Sequence, residues 1–406
     1  MDESLEDLVV WATKKGVKLN GIEPMRIEER GIGVIAKRDI QPDEIILEVP
    51  TKCLRTITTI PKARLRACTE TNVSVHGTLA ADMTLDKSSK YAPWNAVIPQ
   101  IGDMFGMPYY WPAALQALLP AQARKLLDKQ TAKLDKDWSQ IYSAFAEMRL
   151  EEEEEEGEDG KFLYEMFWLL VNSRTFYYLN AALKKWRGAT KDDHMALQPV
   201  ADLFNHADEA GCHVAFGSDG FTFRATRAHG KGEEVHICYG NHGGDFLLVE
   251  YGFVMEKNCW DEALLDDVVL GRFSKKQKEQ LEEVGFLGNY VLDRETVCHR
   301  TQVAVRLLVC NSGQWMQFVN GYDDGESSQK AVDALLLELL REYATRIEDT
   351  IKKVLTLETP NEKKHWLVIR TADLDEKKDI LVQRWRQIGR LVDARIKSLE
   401  REPQRD

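Results

Sequence analysis

The sequence contains no run of about 18 apolar residues, so it predicts no membrane-crossing helix. Its first residues, MDESLEDLVVWATKKG, lack the basic start and apolar core of a secretory signal peptide. No CxxC pair occurs among the seven scattered cysteines, which disfavours a disulfide framework or a structural zinc cluster. A reducing compartment, cytoplasmic or nuclear, is therefore the expected location.

The sequence also lacks an excess of positive charge, because its formal net charge is -12. Binding to nucleic acid relies on neutralising phosphates with lysine and arginine, so the composition argues against a nucleic-acid partner. An acidic chain attracts basic proteins or peptides instead. The length of 406 residues leaves ample material for two or three domains.

The hydrophobic pattern predicts an α+β protein. A short amphipathic helix over residues 4–15, capped by Ser4, precedes the β-type runs MRIEE, GVIAK and EIILEVP. CHVAF and FTFRA flank GSDG, which predicts a hairpin with a tight primed turn. Further strands are predicted for EEVHICYG and for EYGFV at 250–254.

Helical patterns dominate the rest of the chain. Residues 61–150 read mainly as helix, and EEEEEEGEDG (151–160) as a solvated, flexible loop. A strongly apolar helix then leads to NSRTF. From about residue 260 onward, long amphipathic segments predict a separate helical module. The organisation is thus β-rich at 22–60 and 200–255, with a helical insertion and a helical C-terminal domain.

The stretch DLFNHADEAGCH (202–213) holds the densest group of chemically active side chains. As a metal site it is disfavoured, because His206 and His213 match no common zinc spacing. Cys212 and His213 would also point to opposite faces of a strand. From composition alone, a polar loop with Asp202 and Asn205 bonded to local backbone is the simpler interpretation.

Four segments, taken together and in order, favour a functional interpretation. They are RGIGV (30–34), NSRTF (172–176), PVADLFNH (199–206) and ICYGNHGGDFLLVEYGF (237–253). This combination resembles the SET-domain protein methyltransferases, specifically the branch typified by the Rubisco large-subunit lysine methyltransferase. The resemblance covers nearly the whole chain. It extends to MPYYWPAALQALLP (107–120) in the insertion and to the helical tail, which resembles a substrate-binding domain.

Fungal members with the DFLLVEYGF wording are the most similar, and several of them act on ribosomal proteins. The resemblance implies a β-rich SET fold with a helical insertion, followed by an all-α C-terminal domain. The implied limits are an N-terminal helix at 1–20, a SET domain at 21–240 with its insertion at about 61–165, the end of the SET region at 241–259, and a helical substrate-binding domain at 260–406.

The resemblance also implies S-adenosyl-L-methionine as the cofactor and assigns site residues. The implied cofactor-binding residues are Gly31, Ile32 and Gly33 through their backbone, Arg174 at the methionine carboxylate, Asp202 nearby, the Asn205–His206 dyad, and Tyr239. An arginine suits a carboxylate because its fork donates two parallel hydrogen bonds. Tyr239 is the implied catalytic residue, and Tyr251 and Phe253 would line the lysine channel. A core-packing role for Phe253 stays open.

The implied reaction is methylation of a lysine on a basic, non-histone protein such as a ribosomal protein. Gly243 and Gly244 stand where fungal members usually carry a Ser-Asn pair, and two glycines predict a more flexible segment after Tyr239. A catalytically weak SET scaffold that binds a partner therefore stays open as an alternative. Methylation of histidine, which one relative in this branch performs, is the other.

Overall fold

The computed structural model describes residues 2–28, 30–151, 159–179, 190, 193–358 and 374–401. The chain divides into two compact units. The first unit comprises Met1–Met104 and Gln130–Asn241, and the second comprises Phe105–Lys129 and His242–Asp406. The domain limits inferred from the sequence stay a prediction. None of the described helices is both long and apolar enough to cross a membrane.

The first unit contains eight described strands, all paired antiparallel. They are β1 (Lys18–Leu19), β2 (Ile22–Ile27), β3 (Gly31–Ala36), β4 (Ile45–Pro50), β5 (Phe176–Tyr177), β6 (Met195–Ala196), β7 (Cys212–Phe216) and β8 (Gly220–Ala225). One sheet has the order β1-β4-β8-β7, while β2 pairs with β3 and β5 with β6. The strands predicted from MRIEE, GVIAK and EIILEVP are confirmed.

The β7–β8 hairpin is confirmed, but its turn is not of the predicted primed type. Gly217 donates its N–H to the carbonyl of Gly220 at 2.9 Å, which leaves Ser218 and Asp219 as the central residues. Neither has a positive φ, as a primed turn requires; Gly220 has one instead, at 145°. Strand β7 itself is as predicted, because Cys212 is buried on one face and His213 is exposed on the other.

Helices α1 to α8 precede or fall between these strands along the chain, and α6 and the start of α7 belong to the second unit. They are α1 (Glu3–Lys15), α2 (Lys62–Thr69), α3 (Val75–Thr84), α4 (Ala92–Asn95), α5 (Ile101–Met104), α6 (Ala113–Gln116), α7 (Ala121–Glu151) and α8 (Asp159–Arg174). The predicted cap of α1 was wrong by two residues. Asp2 is the N-cap, and its carboxylate accepts from the backbone N–H of Ser4. The acidic loop predicted between α7 and α8 lies almost wholly outside the described residues.

Buried Asp137 joins three helices of the first unit. Its carboxylate accepts from the N–H and hydroxyl of Ser74, which caps α3, at 3.0 and 2.7 Å. It also accepts from the indole N–H of Trp168 on α8 at 2.9 Å. The Trp168 ring stacks on His76, whose pKa burial lowers to about 4, so this imidazole is neutral. The carboxylate of Asp137 is thus satisfied by donors from two other helices of this region.

The second unit is mainly helical beyond residue 243. Its elements are α9 (Gly244–Tyr251), α10 (Asp266–Val269), α11 (Lys275–Glu283), α12 (His299–Val309), α13 (Ser312–Val319), α14 (Glu326–Leu355), α15 (Leu374–Arg401) and two short strands, β9 (Ala263–Leu264) and β10 (Val291–Leu292). The predicted helical module is confirmed, apart from the β9–β10 pair. Its apolar core includes Trp315, Tyr343 and Trp385 from α13, α14 and α15.

Two predicted strands were wrong. EEVHICYG forms only isolated bridges, in which Glu234 pairs with Ile35 and Ile237 with His206. EYGFV falls at the end of α9, because Gly252 adopts a left-handed conformation with φ 83° and closes that helix. The aromatic and β-branched residues of EYGFV are typical of a strand, which is why a strand was predicted. Gly252 instead adopts the left-handed conformation of a helix C-cap.

Gly220 supports a prediction about stability. A Cβ at this position would stand 2.1 Å from the carbonyl oxygen of Val49, and the φ of 145° is unfavourable for any L side chain. Gly220→Ala should therefore cost about 1–3 kcal/mol, which lowers Tm by roughly 2–4 °C per kcal/mol in a region of this size. Gly217→Ala, in the same turn with open space around it, is the control. Equal melting temperatures for the two variants would contradict the close contact.

Candidate active site

The start of β3 holds two glycines that are needed for different reasons. Gly31 has φ 73°, and a Cβ there would meet nothing within 4 Å. Gly33 has no room for a side chain, because a Cβ would lie 2.6 Å from Glu234 Oε1 and 2.9 Å from Asn205 Nδ2. The start of β3 therefore has free space beside the backbone of Gly31 and polar side chains packed against Gly33. Ile32, between them, packs partly against the core of this unit.

The two polar side chains beside Gly33, Asn205 and Glu234, are hydrogen-bonded to each other. Asn205 donates its side-chain N–H to Glu234 Oε1 at 2.8 Å. The other oxygen of Glu234 lies 3.2 Å from Arg30 Nη1 and 3.3 Å from His236 Nε2. Burial alone would raise the pKa of Glu234, but the hydrogen bonds from His236 and Asn205 and the neighbouring positive charges hold it below its ordinary value. Ionised Glu234 thus fixes the orientation of the Asn205 amide.

Backbone pairing places His206 beside Tyr239. Ile237 donates its N–H to the carbonyl of Asn205, and Ala207 donates to the carbonyl of Ile237, both at 3.0 Å. The N–H of Tyr239 then donates to His206 Nδ1 at 3.1 Å, and the two rings lie 5.0 Å apart. Because Nδ1 accepts, a neutral His206 carries its proton on Nε2.

The hydroxyl of Tyr239 is anchored inside the same unit. It donates to the carbonyl oxygen of Phe204 at 2.6 Å. Burial raises the pKa of Tyr239 to about 12; the charges of Asp202 and Glu234 act in the same direction, against that of Arg174. The phenol therefore keeps its proton near neutral pH and serves as a fixed donor rather than as a base.

Arg174, the last residue of α8, is held against the DLFNH loop. Its guanidinium donates to the backbone carbonyl of Asp202. The Asp202 carboxylate is buried, and its Oδ2 accepts from the indole N–H of Trp94 at 2.8 Å. Its Oδ1 has no hydrogen-bond partner among the described residues. Burial raises the pKa of Asp202 to about 6, although Arg174 and Trp94 act in the opposite direction.

The backbone immediately before Asp202 is strained. Val200 is fully buried and has φ 70° and ψ -43°, which is unusual for a β-branched residue. Such strain persists only where surrounding structure enforces it, and it is often found at functional sites. Here it turns the chain into the short helix Ala201–Leu203, from which Asp202 points inward.

The structure thus brings together Gly33, Asn205, His206, Tyr239, Arg174 and Asp202 through a continuous set of contacts within the first unit. The predicted lysine-channel residues belong to the second unit. There Tyr251 lies 6.3 Å, between ring centroids, from both Phe246 and Phe253. Their lining of a channel, like the roles assigned to the other site residues, stays a prediction. In the described ranges, no three His, Cys, Asp or Glu side chains are grouped as a metal ion would need.

Four contributors were missed from the sequence. Glu234 and His236 alternate in EEVHICYG, a signal that both side chains share one face, but nothing tied that face to Asn205. Trp94 gave no signal, because its partner Asp202 is 108 residues away. The carbonyl of Phe204 could not be identified from side-chain chemistry at all.

Comparison with known proteins identifies the class. A family model described as SET domain matches residues 31–240, just over half of the chain. The chain therefore belongs to the SET-domain family. A second model, described as Ribosomal lysine N-methyltransferase 2 C-terminal domain, matches residues 265–385.

Individual relatives agree with this assignment. Ribosomal lysine N-methyltransferase set11 of Schizosaccharomyces pombe is 25% identical over 367 residues, covering 87% of this chain and 90% of its own length. Ribosomal lysine N-methyltransferase 2 of Saccharomyces cerevisiae is 25% identical over 314 residues, covering 66% of this chain and 64% of its own.

Solved structures confirm the predicted fold. The structure of Rubisco LSMT bound to sinefungin and monomethyllysine superposes with a TM-score of 0.62 at 17% identity, covering 99% of this chain and 94% of that chain. The SET domain of LSMT bound to lysine and AdoHcy gives 0.60 at 15% identity, covering 99% and 93%. The α+β SET fold and the resemblance to the Rubisco methyltransferase branch are thereby confirmed.

Asp202 generates a prediction about pH dependence. Its pKa is about 6 when folded against an ordinary value of 3.8, so the folded chain holds this proton more tightly. Stability is therefore lost as pH rises from about 4 to 6, by roughly 3 kcal/mol in all, and no more is lost above. Asp202→Asn abolishes this ionisation. Relative to the wild type, the variant should gain stability between pH 4 and 6 and then stay level.

Thermal melting of both proteins at pH 4.5, 5.5, 6.5 and 7.5 measures this difference. Any change in stability caused by the amide itself is the same at every pH. Only the change of the Tm difference with pH reports the ionisation of Asp202. A difference in Tm that is the same at all four pH values would contradict a raised pKa at Asp202.

Proposed function

We propose that this protein is an S-adenosyl-L-methionine-dependent protein-lysine N-methyltransferase. The observation that carries the proposal is the convergence of Arg174, Asn205, His206 and Tyr239 in one unit of a SET-domain chain. Two relatives named as ribosomal lysine N-methyltransferases, together matching most of the chain, support the lysine specificity.

The residues present fit this cofactor. Gly31 offers backbone with open space around it, as a bound nucleoside or amino-acid group needs. Oδ1 of buried Asp202 is an acceptor that no donor among the described residues satisfies. Arg174 would hold the methionine carboxylate, and the Asn205 amide and His206 would hold its amino and adenine ends. When bound, the cofactor supplies an electrophilic methyl group on a positively charged sulfur.

The chain's own contribution is orientation and exclusion of water. Tyr239 keeps its proton, so its hydroxyl remains a donor and does not take the proton of the substrate amine. A lysine has an unperturbed pKa of roughly 10.4, so being neutral near pH 7 costs about 4–5 kcal/mol. Burial of the amine in a narrow channel lowers this cost, because desolvation disfavours the charged form. Fixed carbonyls such as that of Phe204 then restrict the reacting groups to one geometry.

The proposed substrate is a basic ribosomal protein. The formal net charge of -12 favours encounter with a basic partner. The match of residues 265–385 to a ribosomal lysine methyltransferase C-terminal domain supports this substrate class over a histone. A cytoplasmic or nuclear location, where ribosomal proteins are made and assembled, is part of the same proposal.

Tyr239→Phe tests the proposal with a single hydroxyl. We expect transfer of labelled methyl groups to fall by on the order of 100-fold, because the ring stays but the hydroxyl that orients the reacting groups is lost. The substrate would be ribosomal protein from a Saccharomyces cerevisiae strain lacking ribosomal lysine N-methyltransferase 2. Tyr142→Phe, on the exposed face of α7, is the matched control and should leave transfer unchanged.

Calorimetry and mass spectrometry separate the alternatives. If the wild type binds its protein partner but calorimetry detects no binding of S-adenosyl-L-methionine, the scaffold interpretation replaces catalysis. An actin-histidine N-methyltransferase of Gallus gallus is 22% identical over 277 residues, so the modified side chain must be identified directly. Label on histidine rather than lysine would overturn the lysine assignment while leaving methyl transfer intact.

A further inference from the structure

Gly244 lies against a guanidinium group, which explains why it carries no side chain. A Cβ at this position would stand 2.4 Å from Arg384 Nη1, 2.7 Å from its Cζ and 3.0 Å from Asp261 Oδ1. Gly244 is buried, and its N–H donates to Asp261 Oδ1 at 3.1 Å. The sequence had predicted added flexibility here. The start of α9 is instead held by contacts that only a glycine permits.

Arg384 of α15 is the centre of this arrangement. Its side chain is fully buried. Its Nε donates to Asp245 Oδ1 at 2.7 Å, and its Nη1 to both oxygens of Asp261 at 2.8 and 2.9 Å. Its Nη2 donates to the carbonyl of Glu262 at 2.9 Å. A planar fork meets all these acceptors at once, which a lysine ammonium cannot do.

Gln387, one turn further along α15, extends the same set of contacts. Its side-chain oxygen accepts from Arg384 Nη1 at 3.1 Å. Its side-chain N–H donates to the carbonyl of Met255. Arg384 therefore contacts the beginning of α9, and Gln387 contacts the chain shortly after its end. The segment 244–255 is held at both ends by one helix.

This segment carries the aromatic residues predicted to line the lysine channel. The ring of His242, just before it, stacks on Phe246 at 4.1 Å. Phe246 lies 6.3 Å from Tyr251, and Tyr251 lies 6.3 Å from Phe253. Because Phe246 and Tyr251 lie on α9 and contact the rings on either side of it, a shift of α9 would disturb this whole group of rings.

We propose that Arg384 and Gln387 are positioning residues, which hold segment 244–255 so that Tyr251 and Phe253 keep the geometry that lysine binding needs. This inference rests on the proposed methyltransferase function for its catalytic consequence. Its structural part, that α15 orders segment 244–255, stands on the contacts alone. Gly243–Gly244 thus belongs to an ordered site, because the order comes from α15 rather than from side chains at those two positions.

Amide hydrogen exchange tests the structural part. Gln387→Leu removes both hydrogen bonds without a change of charge, and Arg384→Lys keeps the charge but loses the fork. In both variants we expect exchange in peptides covering 244–255 to rise by at least about tenfold. The matched controls, Gln383→Leu and Arg386→Lys, are exposed on the same helix and should match the wild type. Unchanged exchange in Gln387→Leu and Arg384→Lys would overturn the proposal.

Methyl-transfer kinetics test the catalytic part with the same four variants and the ribosomal-protein substrate described above. We expect Gln387→Leu and Arg384→Lys to lower kcat/KM for the protein substrate by about tenfold, with the Kd for S-adenosyl-L-methionine within about twofold of the wild type. Faster exchange with unchanged kinetics would reject the positioning role. If the wild type itself transfers no methyl group, the proposed function fails, and the exchange data alone decide whether α15 orders this segment.

Gly244→Ala provides a test specific to the guanidinium contact. Helix propensity favours alanine over glycine, whereas the 2.4 Å approach of Arg384 forbids it. We expect Gly244→Ala to accelerate exchange in 244–255 by at least about tenfold in the wild-type background, and by under about twofold in the Arg384→Lys background. Equal acceleration in both backgrounds would show that Arg384 does not occupy the space beside Gly244.

Discussion

The site depends on a short backbone pairing between two segments about thirty residues apart. Ile237 bonds to the carbonyl of Asn205, and Ala207 bonds back to Ile237. These two bonds set the register in which the N–H of Tyr239 meets the ring of His206. They also leave the side chain of Asn205 facing Glu234 beside Gly33. The side chains that perform the proposed chemistry have little freedom of their own, because each is fixed by a backbone group or a charged neighbour.

Much of the fold could be predicted from local pattern. The strands around Gly31, the hairpin at 212–225 and the long C-terminal helices each follow from periodicity within a dozen residues. Two of the failures share a cause, which is that the conformation of a single glycine decided the local structure. Gly252 caps a helix where composition suggested a strand, and Gly220 turns the hairpin because the chain must pass close to Val49.

For the site, the sequence indicated the right residue types but not the groups that control them. The pKa of Asp202 depends on its burial and on Trp94, and the orientation of Asn205 depends on Glu234. None of these pairs is close in sequence, so no spacing rule connects them. The resemblance to a known family supplied what spacing could not. The contacts then give physical reasons for why Gly33 is small and why Tyr239 remains a donor.

The contact between Gly244 and Arg384 has a consequence for how such a chain can diverge. A larger residue at position 244 is accommodated only if the residue at position 384 becomes smaller, and a bulky cation at 384 is accommodated only opposite glycine. Either substitution made alone destabilises the protein, so positions 244 and 384 are expected to change together in evolution. The tail helix α15 therefore shares its evolutionary history with α9 of the same unit, and exchanging tails between paralogues would carry that dependence with it.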